Sequence, residues 1–294
     1  MKKLFKPFAL LIALVMMTAC FSLFVAAEGE PTASVAYGTP TIDGVMDDVW
    51  NTTTKVDHTF AAFDCNNVAD LMVHQVTASI RFLWDENYLY LLFDVNDPHV
   101  GDLEQEQAAA SNSGLWQSNA VQMHFDWGHE GHSTNAGGSY DGNDVLVSVG
   151  VHGTVMYHTA AFNGGIANSK SVVTETGYIL EIAIEYDKFA SLYDFTPAAG
   201  EEIGFGCFVQ NAPAAYSWYR ESYCGWGVSN LLQDWPNQMG ILTLAEKPAT
   251  PPAQPENPET PDDPTSPETG DAGIAVAAVA LLSAAVVIAS KKRR

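Results

Sequence analysis

Apolar and polar side chains alternate with a period of two through most of the middle of this 294-residue chain. Successive side chains of a strand point to opposite faces, so this pattern builds half-buried strands, whereas a helix would scatter it. Ala78, Ile80, Phe82 and Trp84 alternate with Thr77, Ser79 and Arg81. A turn signal, Asp85-Glu86-Asn87, follows, and then Leu89, Leu91, Phe93 and Val95 share one face opposite Tyr90, Asp94 and Asn96. Those two runs predict a hairpin. Val121, Met123 and Phe125 alternate in the same way, as do Tyr178 to Tyr186 and Ile203 to Val209, and Ile241 to Leu244 adds a last strand. Val145 to Val151 and Thr154 to Thr159 predict a second hairpin turning at His152-Gly153. No segment shows a long helical period. About nine strands over about 200 residues predict an all-β domain, a two-sheet antiparallel β-sandwich of jelly-roll type.

The two ends have different chemistry. Lys2, Lys3 and Lys6 precede an apolar run to Val25, and small residues at Val25-Ala26-Ala27 complete a secretory signal peptide over residues 1–27. Two alternatives stay open: an uncleaved anchor, and lipid attachment at Cys20, because Met17-Thr18-Ala19-Cys20 loosely resembles a lipobox. At the other end Ser266-Pro267-Glu268-Thr269-Gly270 precedes an 18-residue uncharged run from Ala272 to Ala289 and a basic close, Lys291 to Arg294. As a helix that run spans roughly 27 Å, enough for a bilayer core, and the basic tail stays cytoplasmic. This order resembles a sortase-read cell-wall sorting signal, with Ser266 in place of the usual Leu. The resemblance implies cleavage between Thr269 and Gly270 and transfer of Thr269 to peptidoglycan, on a Gram-positive-type surface. A plain single-pass anchor is the alternative, and residues 270–294 form the tail in either case. Between domain and tail, residues 247–269 carry Pro252, Pro255, Pro258, Pro261, Pro264 and Pro267 at intervals of three. That is the turn of a polyproline II rod, roughly 70 Å long over this segment.

Charge narrows the partners. Three of the 13 Lys and Arg lie in the leader and four in the tail, and of the 35 acids only Asp271 falls outside residues 28–269, so that stretch carries −28. Such a surface repels nucleic acid and anionic polymers and suits neutral glycans or small solutes. Calcium is the compatible ion. Cys65, Cys207 and Cys224 remain after the leader, an odd number that permits one disulfide. Cys207 falls at an inward position of its strand and reads as a small buried hydrophobe.

Several motifs resemble the family 9 carbohydrate-binding modules. Tyr37-Gly38-Thr39-Pro40-Thr41-Ile42-Asp43-Gly44 with Asp47, Asp48 and Trp50 is similar to the family's opening signature. Phe82 to Tyr90, closing at Asp97-Pro98, resembles its most specific one, and Trp116 to Gln122 with Asp126 resembles a third. Gly177 to Glu181, Ile203 to Gly206 and Pro236 to Leu244 match later strands, so the resemblance runs over residues 35–245. It implies that residues 28–246 form a β-sandwich that binds polysaccharide or oligosaccharide. In the family's known cases this is often at the reducing ends of plant-type β-glycans such as xylan, beside separate glycoside hydrolases.

A pyranose offers an apolar C–H face and a rim of hydroxyls, which call for flat indoles and fixed amides or carboxylates. Trp84 and Trp50 read as core. Trp116 sits in a loop between Gly114 and Asn119, and Trp235 in another. The resemblance implies that these two sandwich the sugar, with Trp226 competing for the second place. The polar set departs from the family: Gln122 stands for a Glu, Leu146 for an Arg and Phe208 for a Gln. Gln210 and Asn211 lie near enough to supply amides.

Other classes find less support. A glycosidase needs two positioned carboxylates, and 34 acids make sequence proximity uninformative. Neither Gly-x-Ser-x-Gly nor His-Glu-x-x-His is present. Haem between Met and His ligands is disfavoured because Met123 and His124 face opposite ways. His129 and His132 with Asp126 and Glu130 read as a solvated loop, and Asp141, Asn143 and Asp144 are candidate calcium ligands that also suit a turn.

Overall fold

The computed structural model describes residues 29–63, 75–112, 114–129, 144–188, 194–212, 222–233 and 236–249, all within one compact unit that ends at Ala249. The leader, Cys65, Glu130, His132, Asp141, Asn143, Trp235, the Pro-rich segment and the sorting tail with Thr269 and Gly270 lie outside the described residues.

Thirteen strands form among the described residues. They are β1 (Thr32–Tyr37), β2 (Val56–Asp57), β3 (Phe60–Phe63), β4 (Thr77–Trp84), β5 (Tyr88–Asn96), β6 (Ala120–Asp126), β7 (Asp144–Gly150), β8 (Val155–Tyr157), β9 (Ile166–Val173), β10 (Gly177–Glu185), β11 (Glu202–Asn211), β12 (Ser222–Trp226) and β13 (Gly240–Leu244). One layer runs β8-β7-β6-β11-β13, with β12 and β3 continuing beside the far half of β11; the other runs β4-β5-β10-β9, with β2 on the outside of β4. β1 joins the layers. Thr32 to Val35 pair with β13, and Ala36 and Tyr37 pair with β4. Both pairings are parallel, which corrects the wholly antiparallel expectation and leaves the sheet nearly closed. Edges shared in this way leave fewer unpaired backbone groups than two separate sheets.

The two predicted hairpins are present as β4–β5 and β7–β8, the latter turning through Gly153 at φ 92°. Inward residues from both layers make one core, in which Phe82 packs edge-on against Phe205 at 5.5 Å and lies 6.0 Å from Trp226. Cys207 and Cys224 are free thiols in that core, and burial pushes Cys207 up to about 12. A second apolar cluster lies on the outer face of β5 and β10, where Trp50 covers Leu83, Leu92 and Ala183. Beneath that cover Glu181 accepts from the Asp43 and Gly44 amides at 2.9 and 2.7 Å and from Trp50 Nε1 at 2.7 Å. Trp50 and Trp84 are thus core residues, fully buried.

One helix, α1 (Leu103–Asn112), was not anticipated. Its only buried side chains among those described are Glu106 and Ala109, so it lacks the apolar stripe that reveals a docked helix. Asp102 caps it by accepting from the Gln105 amide at 2.9 Å, and Glu106 docks it by accepting from the His152 and Thr154 amides at 2.7 and 2.9 Å.

Candidate functional site

Residues directly opposite each other on paired strands share a face, so registers assemble the outer face of the β6–β7–β11 layer row by row. One row reads Phe60, Gly225, Phe208, Gln122, Ser148, Met156. The row on one side places Ala62, Tyr223, Gln210, Ala120 and Gly150 together; the row on the other side holds Gly206, His124 and Leu146. At one end of these rows the face is apolar and shut: Phe60, Phe208 and Tyr223 make a T-shaped cluster with centroids 5.5 to 6.5 Å apart, together with buried Leu232. The middle is polar. Gln210 Nε2 donates to Gln122 Oε1 at 3.1 Å, and Gln210 Oε1, fully buried, accepts from none of the described residues.

Trp116 stands at the other end, on a 3-10 turn (Leu115–Gln117) whose Leu115 is buried. Gly114, at φ 120°, takes a conformation that suits glycine and lets the chain run close beneath the indole. A Cβ there would meet Trp116 Cδ1 at 3.1 Å and Met156 Sδ at 3.7 Å, so the indole edge lies beside the Met156 end of the Gln122 row. Trp116 is half-buried, less open than its loop position suggested. Asn119 fixes the segment from behind, donating to Asp97 Oδ2 at 2.6 Å and accepting from the Gly101 amide at 2.8 Å. Two histidines complete the face. Ser148, buried, lies with its Oγ 3.1 Å from Nε2 of exposed His158. His124 is fully buried, and burial foremost, with His158 second, pulls it down to about 3, so its ring is neutral.

This is a stacking ring beside uncharged hydrogen-bonding groups, the arrangement a neutral sugar calls for. The family model of the carbohydrate family 9 binding domain-like proteins matches residues 42–247. The chain belongs to the family 9 carbohydrate-binding domains. Endo-1,4-beta-xylanase A of Thermotoga maritima is 32% identical over 187 residues, 63% of this chain and 15% of that protein. Exoglucanase XynX of Acetivibrio thermocellus is 28% identical over 200 residues, 66% of this chain and 15% of that protein. The chain thus matches about 15% of these relatives' length, and the family it shares with them is a binding domain, not a catalytic one. A family 9 carbohydrate binding module of Caldicellulosiruptor kristjanssonii, solved with glucose, superposes with a TM-score of 0.57 at 21% identity, covering 75% of this chain and 98% of that one. The same module with cellotriose gives 0.57 and 21%, over 76% and 100%.

Within this family 9 domain the predicted site residues separate. Trp116, Gln122 and Gln210 belong to one face. Asn211 follows Gln210 on β11, so strand alternation turns it to the opposite face. Trp226 is a core residue packed on Phe205 at 5.9 Å and does not reach the site. Phe208 and Leu146, at positions where the family resemblance implies polar readers, both lie on the face; Phe208 has become part of the closed aromatic wall. Asp144 pairs with Asp126 at the end of β7, and among the described residues no three His, Cys, Asp or Glu side chains converge as a metal site. His129 lies 3.4 Å from Glu202. Met123 is inward in the core while His124 is outward, as alternation requires. Ser148, Met156 and His158 were not singled out from sequence, although the His152-Gly153 turn sets the register that puts Met156 opposite Ser148 and Ser148 opposite Gln122.

Proposed function

We propose that residues 28–246 are a non-catalytic carbohydrate-binding head that takes a neutral oligosaccharide on the face formed by Trp116, Gln122 and Gln210. The observation that carries this is the convergence of a half-buried indole and two coupled amides on one face of a family 9 domain. The glucose and cellotriose bound by the related module, and the xylanase names of the relatives, support a β-glucan or xylan chain as ligand; the family resemblance implies its reducing end as the part recognised. Calorimetric titration with cello-, xylo- and manno-oligosaccharides, each native and borohydride-reduced, tests it. Micromolar binding, about −8 kcal/mol, lost on reduction and at least tenfold weaker in Trp116→Ala, is the expected result. Absence of heat with every sugar would retire the reading and leave a spacer or protein-binding head.

The ends of the chain support display outside the cell. The leader motif supports export with Glu28 as the mature N-terminus, and the order of Thr269-Gly270, apolar run and basic tail supports attachment to peptidoglycan. Muramidase digestion of the producing cells should release the protein as a ladder bearing wall fragments. Thr269→Ala that leaves the ladder intact would exclude sortase transfer at this bond.

A further inference from the structure

We propose that His158, held by Ser148, is a specificity-determining residue that reads a hydroxyl of the sugar stacked on Trp116. The inference rests on the carbohydrate-binding reading above and extends it to a residue pair outside the Trp116–Gln122–Gln210 set. Met156 and Ser148 are opposite each other on β8 and β7, and His158, one residue past the end of β8, is brought to the same face by its contact with the Ser148 side chain. Trp116 Cδ1 and Met156 Sδ lie 3.1 and 3.7 Å from one point, where a Cβ at Gly114 would stand. A sugar lying on that indole therefore extends over Gln122 and Ser148, and His158 stands about 7 Å further along the strand direction, within the reach of one ring. Nε2 of His158 is engaged 3.1 Å from the Ser148 hydroxyl, whose own exposure is 1%. That contact occupies Nε2 and leaves Nδ1 with no hydrogen bond among the described residues. Although the residue as a whole is exposed, desolvation of the ring lowers the pKa of His158 from its ordinary value, which favours the uncharged imidazole. A serine hydroxyl donates to Nε2 or accepts from it, so Nδ1 can correspondingly donate or accept, which suits a sugar hydroxyl in either role. Leu146, on β7, has no hydrogen-bonding side chain, so His158, held by Ser148, supplies the reader on the β7–β8 side.

The test is titration of the full chain with cellobiose, whose reducing end is free, and its set of monodeoxy derivatives. His158→Ala and Ser148→Ala should each weaken the parent ligand about tenfold, and Ser148→Thr, which keeps the hydroxyl, should restore most of it. One monodeoxy derivative should lose about tenfold on the unmodified protein and nothing more on His158→Ala. A residue that merely supported the fold would weaken every derivative equally. Equal loss across the series, or unchanged affinity of both variants for the parent glycoside, would overturn the assignment while leaving the glycan reading intact. No binding by the unmodified protein would overturn both.

Discussion

At position 210 an amide oxygen is shut from water and accepts no hydrogen bond from the described residues, while the amide nitrogen of the same side chain is committed to Gln122. A buried unsatisfied acceptor costs about 1–3 kcal/mol. Glu181, on the opposite layer, is a buried acceptor that is fully served, with three donors within 2.9 Å. Among the described residues no donor serves Gln210 Oε1, while its amide nitrogen orients the half-exposed Gln122 that a ligand can reach. Gln210→Leu removes the orphan oxygen with little change of volume, and the Gln122 amide it releases is half-exposed and can turn to water. The variant should therefore unfold at the same or a higher denaturant concentration, by up to about 1 kcal/mol, yet bind oligosaccharide at least tenfold more weakly. Chemical denaturation and calorimetry on one preparation check both halves. A variant that loses more than about 2 kcal/mol of stability while binding normally would make Gln210 a structural residue.

Helix α1 is held to the β7–β8 hairpin by one carboxylate rather than by an apolar face. Glu106 accepts from the backbone of His152 and Thr154, and a Cβ at Gly150 would collide with its carboxylate, so the hairpin turn and the helix are built around each other. Each bond to a charged acceptor contributes about 1.5–3 kcal/mol. Glu106→Ala should cost about 2–4 kcal/mol and raise amide exchange at 152 and 154 before the rest of β7; unchanged protection there would show that the helix docks by other means. The same element marks where sequence reading stops. β4, β5, β6, β10 and β11 were legible because every second residue of each forms an unbroken apolar row facing the core. α1 was not, since a glutamate buried against backbone amides leaves no periodicity. β3, β9 and β12 also escaped: β9 is a polar edge strand, and Ser222 to Trp226 interrupts its pattern with Gly225. In the site, Trp116 and Gln122 stood out by residue type, whereas placing Ser148 beside them needed register, and separating Gln210 from Asn211 needed the face each one takes.

Across the whole described domain, β11 enters at Glu202 beside Thr243 and reaches Gln210 eight residues later, so Gln210 and the end of β13 lie about 27 Å apart along the strands. The chain thus leaves the sandwich at the end remote from the Trp116 face, and it leaves through a fastening. Trp84 Nε1 donates to the Ala245 carbonyl at 3.1 Å, Lys247 Nζ lies 5.2 Å from the Tyr37 ring centre and pairs with Glu86, and the Tyr37 hydroxyl donates to Glu86 at 2.7 Å. The hydrogen bond from Lys247 foremost, then that from Tyr37, holds the Glu86 carboxyl down at about 2 against an ordinary 4.5. A carboxyl depressed in the folded state favours folding where it is ionised, so its contribution is complete above about pH 4.5 and fades as pH falls toward 2. Both partners are largely exposed, so solvent keeps the effect small and it must be read by difference. The melting temperatures of the native chain and Glu86→Gln should differ at pH 6 and converge as pH falls through that window, whereas Lys247→Ala and Glu86→Gln should behave alike throughout. A difference that persists unchanged to pH 2 would mean the carboxylate acts by packing, not by charge. Because the fastening and the binding face occupy opposite ends, Glu86→Gln should leave oligosaccharide affinity at neutral pH where it was, and a fall in affinity would show that the two ends are coupled through the core.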